Sequence, residues 1–99
     1  MGVGIVYQYK SGKFGIVNMK GQIIVPIRYD SIEFFSKTLF RAELNGWWGL
    51  IDKQTGIAAL GFLYNHISPL CDGRAKVQSP EGTFYVDGEG KRLDNLYPE

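Results

Sequence analysis

The sequence predicts an almost purely β protein built from repeated units of about 35 residues. Thirteen glycines interrupt the 99-residue chain, and the apolar segments between them are short and rich in β-branched and aromatic residues. A similar run also recurs as GKFGIVN at 12–18, GWWGLID at 46–52 and, more degenerately, GTFYVD at 82–87. Each run has a turn glycine, an aromatic, apolar residues and a short polar residue. This pattern is typical of short antiparallel strands joined by turns.

Turn residues place the strands along the chain. We expect the strand beginning at Ile23 to stop at Pro26, because proline cannot donate to a sheet ladder. Residues 27–30 then run extended into a loop or short helical turn at 31–37, and Asn45-Gly46 is a hairpin signal. The predicted strands are residues 5–9, 14–18, 23–25, 39–44, 48–52, 57–60, 74–78 and 84–87, with a stub at 92–93.

The three strands of a unit are A, the glycine run; B, of the Ile-Ile-Val type; and C, of the Leu-Phe-Arg-Ala type. The chain opens on a C strand and closes after a B strand, so the first strand can complete the last unit. We therefore predict one domain, residues 1–99, that closes into a small pseudo-threefold barrel- or propeller-like ring, with 5–9 paired near 92–93. The units are residues 11–44, 45–79, and 80–99 completed by residues 1–10.

Composition narrows the classes of function. Eleven basic and ten acidic residues give a net charge of +1, which argues against a nucleic-acid partner and against an acidic DNA mimic. No apolar run approaches the roughly 20 residues of a membrane helix, and residues 1–7 lack the pattern of a signal peptide. The single Cys71 excludes an internal disulfide and fits a reducing compartment. These features together predict a cytoplasmic protein that does not enter membranes.

The spaced pattern from the first glycine run to the second resembles the bacterial WG repeat. The matching stretches are GKFGIVN at 12–18, GQIIVP at 21–26, Tyr29-Asp30 and NGWWGLID at 45–52. The match weakens in the third unit, where Thr83-Phe84 replaces Trp-Gly. The resemblance implies β-structure and a binding role, and it brings no catalytic residues with it.

Few residues are candidates for chemistry. His66, the only histidine, could act as a base or metal ligand, and Cys71 could be a nucleophile paired with it, but we favour a loop or edge histidine and a small buried thiol. Asn18, Asp52 and Asp87 share one repeat position and could bind calcium or transfer protons; an Asx-type turn explains them more simply. We predict no catalytic residue, metal or cofactor.

Trp47 is the main candidate for binding. If Trp48 packs inward, Trp47 points outward, because successive strand residues face opposite ways. Lys13 holds the same place in the first unit, and lysine is a residue that usually faces solvent. An exposed tryptophan beside a hairpin can anchor a protein partner or a sugar ring. The candidate partner-binding residues are Trp47, Lys13, Phe34, Phe35 and Phe62.

These features favour a non-enzymatic module that docks onto another protein. Such a module can occlude its partner, as an inhibitor or an immunity or anti-defence protein of bacterial or phage origin, or it can serve as an adaptor. The alternative is a small-ligand or glycan-binding module that uses the same aromatics, and it needs a concave site with convergent polar groups. An enzyme using His66, Cys71 and a nearby aspartate is a third hypothesis. The sequence does not indicate an oligomeric state.

Overall fold

A computed structural model describes residues 2–93 of the protein, and its regular structure is entirely β-strand, as predicted. The other residues of the predicted third unit, 1 and 94–99, lie outside this range. Within the described range there is no helix long and apolar enough to cross a membrane. The strands are β1 (Val3–Gln8), β2 (Lys13–Asn18), β3 (Ile23–Tyr29), β4 (Ser31–Phe34), β5 (Leu39–Leu44), β6 (Trp47–Asp52), β7 (Ala58–Tyr64), β8 (His66–Ile67), β9 (Ala75–Ser79) and β10 (Gly82–Val86).

The strands form three antiparallel sheets. The first sheet has the order β1-β2-β3, the second β4-β5-β6-β7 and the third β10-β9-β8. After β3 in the first sheet, the chain bends at Asp30 and enters the second sheet as β4; after β7 it bends at Asn65 and enters the third sheet as β8. We call β3 with β4 the B segment of the first unit, and β7 with β8 that of the second. Each B segment therefore belongs to two sheets and ties them together.

Two sequence predictions about the first B segment are wrong. The strand does not stop at Pro26 but runs from Ile23 to Tyr29, and residues 31–34 form β4 instead of a loop or helical turn. Pro26 is tolerated because it lies in a bulge on the edge strand of its sheet, where no ladder N–H is needed. The segment after it is extended because it pairs with β5.

Apolar side chains between the sheets form two cores. The first core lies between the first and second sheets, and the second core between the second and third. The first core contains Ile16, Val25, Tyr29, Ile32, Phe40, Ala42 and Ile51. The second contains Phe35, Leu39, Leu50, Ile67, Ala75, Val77 and Val86. The second sheet is thus buried on both faces, and the molecule measures 49 × 28 × 19 Å.

The described strands do not close into a ring. Within residues 2–93, β1 pairs with β2 alone and lies at an edge of the first sheet. Arg92 bridges to Val86 of β10, not to β1, so the pairing predicted between 5–9 and 92–93 is absent. The reason is the path of the B segments, because each one carries the chain onward to a new sheet. The result is a linear stack of sheets.

The turn after each A strand is held by one side chain, as the sequence predicts. Asn18 Oδ1 accepts the N–H of Lys20 at 2.9 Å and of Gln22 at 3.0 Å. The carboxylate of Asp52 does the same for the two residues after Lys53, and that of Asp87 for Glu89 and Lys91. The hydrogen bond from Thr55 N–H is the largest cause that lowers the pKa of Asp52. These residues are therefore Asx-turn residues.

The glycine that follows the aromatic in the first two A strands lies beneath a bulge. Trp48 pairs with Tyr64 and Leu50 with Leu60, so residues 61–63 lie opposite Gly49 alone. A Cβ at Gly49 would lie 2.7 Å from the carbonyl oxygen of Leu60. Gly15 is equally crowded by the bulge of β3. Only glycine lets the bulged strand approach this closely.

Alanine at Gly49 is therefore expected to destabilise the fold, by about 1–3 kcal/mol, because the added methyl group overlaps the β7 backbone. Gly61→Ala is the matched control, since a Cβ there meets nothing within 4 Å. We expect that control to change the free energy of unfolding by no more than about 1 kcal/mol, in either direction. Urea unfolding followed by tryptophan fluorescence measures both. Equal losses for the two variants would contradict this role of Gly49.

Candidate binding site

A surface pocket of about 500 Å³ opens between the second and third sheets. Its walls are mostly apolar, with polar groups at Ser79, Glu81 and Arg92. The bulge of β7 supplies one wall, because the bulge redirects the side chains of residues 62 and 63 out of the regular strand. The lining residues are Trp47, Phe62, Leu63, Tyr64, Ser79, Pro80, Glu81 and Arg92.

The two tryptophans of β6 have different environments. Trp47 is 41% exposed and lines the pocket. Trp48 is half-buried against the second core, with the Arg41 guanidinium 4.8 Å from its ring centre and the His66 ring 5.0 Å away. Strand alternation places them on opposite faces, as the sequence predicts. Trp48 therefore has a packing role, and Trp47 is available for contact.

The equivalent junction between the first and second sheets is clamped by polar contacts. Lys13 occupies the repeat position of Trp47, and its ammonium group forms an ion pair with Asp30. The second carboxylate oxygen of Asp30 accepts the backbone N–H of Asn45 at 2.7 Å. Because Asp30 is where β3 bends into β4, these bonds tie the end of the first sheet to the β5–β6 hairpin.

All three members of this clamp are replaced at the second junction. The strand registers place Trp47 at the position of Lys13, Asn65 at that of Asp30 and Pro80 at that of Asn45. Proline has no N–H to donate, and tryptophan has no charge to pair. The pocket thus lies at the second junction, at the place that corresponds to the clamp of the first junction.

The structure separates the other predicted site residues. Phe62 lines the pocket with Trp47, and its ring packs at a tilt against Tyr29, with the ring centres 5.4 Å apart. Phe34 is exposed, but the strand register places it level with Ile51 of β6. This level is about 13 Å along the strands from Trp47. There, Lys53 lies 4.2 Å from the ring of Phe34, and burial lowers the pKa of this lysine. Phe34 is therefore not part of the pocket.

Phe35 and Lys13 are also not available as anchors at this site. Phe35 is only 2% exposed and belongs to the second core, because Phe35 N–H donates to the carbonyl of Leu39 and draws the loop inward. Lys13 is half-buried and engaged with Asp30 at the first junction. Of the five predicted residues, only Trp47 and Phe62 come together.

The candidates for chemistry are dispersed. The His66 ring packs edge-on against Trp48. Cys71 is exposed, in contrast to the buried thiol expected, because its backbone pairs with Arg74 in a tight surface turn. Among residues 2–93, no group of three or more His, Cys, Asp or Glu side chains is placed to hold a metal ion.

Six pocket residues were not predicted from the sequence: Leu63, Tyr64, Ser79, Pro80, Glu81 and Arg92. A signal for the pocket was present in the repeat itself. Aligning the first two units by position sets a charged pair, Lys13 and Asp30, against Trp47 and Asn65. A loss of both charges at equivalent positions indicates that the second junction is built differently.

We expect the clamp to make stability depend on pH. The hydrogen bond from Lys13, and then that from Asn45, lowers the pKa of Asp30 below its ordinary value of 3.8. A lowered folded-state pKa stabilises the protein above the unfolded-state value, and this contribution disappears as the pH falls through the folded-state pKa. Asp30→Asn should therefore reduce the unfolding free energy at pH 7 by up to about 1 kcal/mol.

The measurement is urea unfolding of wild type and Asp30→Asn between pH 7 and pH 2.5. The gap between the two proteins should narrow below pH 3.8. Asp72→Asn, a change in an exposed turn, serves as the control. A gap for Asp30→Asn that stays constant over the whole range would contradict the assignment.

Comparison with known families agrees with this repeat architecture. Neither the curated proteins nor the solved structures that were searched gave a match to the chain. A family model described as WG containing repeat matches residues 14–46, which extend from β2 to the Asn45-Gly46 hairpin turn. This range contains the crowded Gly15, the B segment shared by two sheets, and the clamp residue Asp30. The segment 14–46 is therefore similar to a WG-containing repeat.

Proposed function

We propose that the protein is a non-enzymatic binding module that docks onto another protein through the pocket at the second junction. The observation that supports this proposal is the exposed Trp47 at a pocket whose other apolar and aromatic walls are Phe62, Leu63, Tyr64 and Pro80. Tryptophan and tyrosine contribute much of the binding energy at protein interfaces, and they do so best in pockets that exclude water.

The surroundings of the pocket suit a docking surface. Leu63 is exposed beside Trp47, so the apolar area continues beyond the pocket. Glu81 and Arg92 supply one acidic and one basic group at its rim, which can orient a partner by charge. The wall is a bulged strand packed on two cores, so binding costs little conformational entropy. A partner segment bound here would be covered by a rigid surface.

The mechanism in this proposal is steric occlusion. A partner loop inserts an apolar side chain between Trp47 and Phe62, and the adjoining sheet surface covers the partner's functional site. The module then acts as an inhibitor, or as an adaptor if the partner's site stays open. The proposal keeps the cytoplasmic setting that the single cysteine suggests.

A second candidate function is small-ligand or glycan binding. A volume of about 500 Å³ falls within the usual range for small-molecule pockets, which supports this alternative. Trp47 could stack on a sugar ring, with Ser79, Glu81 and Arg92 as hydrogen-bonding groups. Titration with oligosaccharides followed by tryptophan fluorescence tests it. Saturable binding that Trp47→Ala abolishes would replace the protein-docking proposal.

Trp47→Ala should weaken partner binding by about 2 kcal/mol or more, roughly 30-fold in Kd, because it removes the anchor of the pocket. The partner is first isolated by affinity capture with the wild-type chain and then titrated by calorimetry. Tyr9→Ala is the matched control, since Tyr9 is an exposed aromatic in the turn between β1 and β2. Equal affinity of wild type and Trp47→Ala would exclude this site.

Restoring the clamp is expected to remove binding without unfolding the protein. The triple variant Trp47→Lys, Asn65→Asp and Pro80→Asn supplies the ion pair and the N–H donor of the first junction. We expect its free energy of unfolding to equal or exceed that of Trp47→Ala, while its affinity for the partner falls at least as far. Affinity retained in a folded triple variant would show that the open junction is not the docking site.

A further inference from the structure

The outer edge of β1 differs from the equivalent edges in the other sheets. In the second sheet, β4 pairs antiparallel with β5, and in the third sheet β8 pairs antiparallel with β9. β1, β5 and β9 are the C strands of the repeat. Within residues 2–93, β1 has β2 as its neighbour on one side and no strand on the other. The first sheet thus lacks the strand that covers this edge in the other two.

Repeat positions identify the backbone groups at this edge. Val6 pairs with Gly15 as Ala42 pairs with Gly49, so Tyr7 corresponds to Glu43. The carbonyl of Glu43 accepts the N–H of Asp30 at 2.8 Å, so the backbone of Glu43 hydrogen-bonds on the side of β5 that faces away from β6. By this equivalence, the backbone groups of Tyr7, and of Ile5 two residues earlier, point away from β2.

The side chains at these positions also distinguish β1. In β5 the positions of Ile5 and Tyr7 are held by Arg41 and Glu43. In β9 they are held by Lys76 and Gln78. Only the uncovered strand has apolar residues there, with Ile5 38% and Tyr7 55% exposed. β1 also contains no charged residue and no proline, which are the usual protections of a strand edge.

Most other sheet edges in the described part of the chain carry such protection. Pro26 lies in β3 and Glu33 in β4, and β8 has only two residues. The outer side of β10 is bridged by Arg92. β7 has no charge, but its C-terminal half lines the pocket described above. β1 is therefore the edge best suited to pair with another strand.

We propose that β1 pairs antiparallel with β1 of a second copy of this chain, forming a twofold dimer with a continuous six-stranded sheet. Antiparallel self-pairing is what a twofold axis generates, and an uncharged strand meets no like-charge repulsion. With Val6 at the axis, Ile5 of each copy lies opposite Tyr7 of the other. β-branched and aromatic residues form favourable cross-strand pairs. The pairing also satisfies the outward backbone groups of both strands.

Sedimentation velocity over a range of concentrations tests the dimer with the full chain. Wild type should shift from monomer to dimer as concentration rises. Tyr7→Lys and Ile5→Pro should each weaken association at least about tenfold, because one adds charge to the edge and the other removes an outward N–H. Ile57→Lys, an exposed isoleucine outside any strand, is the control and should leave association unchanged. Circular dichroism verifies that all variants fold.

Amide hydrogen exchange gives an independent result. Protection of the Ile5 and Tyr7 amides should increase with protein concentration, while the amides of Gly4 and Val6 stay protected throughout. A monomer at every concentration would overturn the proposal, as would a dimer that Tyr7→Lys does not weaken. Protection of Ile5 and Tyr7 in the monomer would also overturn it, since the edge would then be covered within one chain.

Discussion

The close approach of a bulged strand to a glycine is the constraint on which the rest of the structure depends. At Gly15 and Gly49 the A strand leaves room for the B segment to bulge, and a Cβ at either position would lie 2.7 Å from a backbone oxygen. Beyond each bulge the B segment bends and enters the next sheet. The stacking of three sheets, the two cores and the junction pocket all follow from the way each B segment passes from one sheet to the next.

The departures of the third unit from the repeat fall largely on one face of the third sheet. The outer face of the third sheet has Thr83 and Tyr85 where the second sheet has Trp48 and Leu50, and Arg74 where it has Leu39. These changes suit a face that no other sheet covers within residues 2–93. Phe84 stands at the position of Gly49, and the Arg92 guanidinium, not a bulged strand, lies 4.1 Å from its ring centre. Within residues 2–93, the third unit thus has an exposed outer face of the kind that terminal units of repeat proteins carry.

Local patterns made most of the fold predictable. The three glycine-run strands, the C strands before them, the Asn45-Gly46 hairpin and the Asx turns depend on residues close in sequence, and they were predicted from it. The strands after the first two runs were also predicted, but they extend further than expected, to Tyr29 and Tyr64. β4 and β8 were missed because they are short segments that become strands only through pairing with β5 and β9. The ring was predicted from the order of strands along the chain, which does not specify the sheet that each B segment enters; within residues 2–93 each one enters a new sheet. The pocket joins residues as distant as Trp47 and Arg92, so only Trp47 and Phe62 were anticipated.

The two junctions of the stack differ: polar contacts clamp the first, and an open pocket lies at the second. Photo-crosslinking tests the proposed docking role of that pocket most directly, with benzoylphenylalanine in place of Leu63, so that Trp47 stays intact. The same group in place of Ile57, which is equally exposed but outside the pocket, is the comparison. Our account predicts crosslinks to one protein from position 63 and none from position 57. Crosslinks of equal yield from both positions, or from position 57 alone, would contradict it.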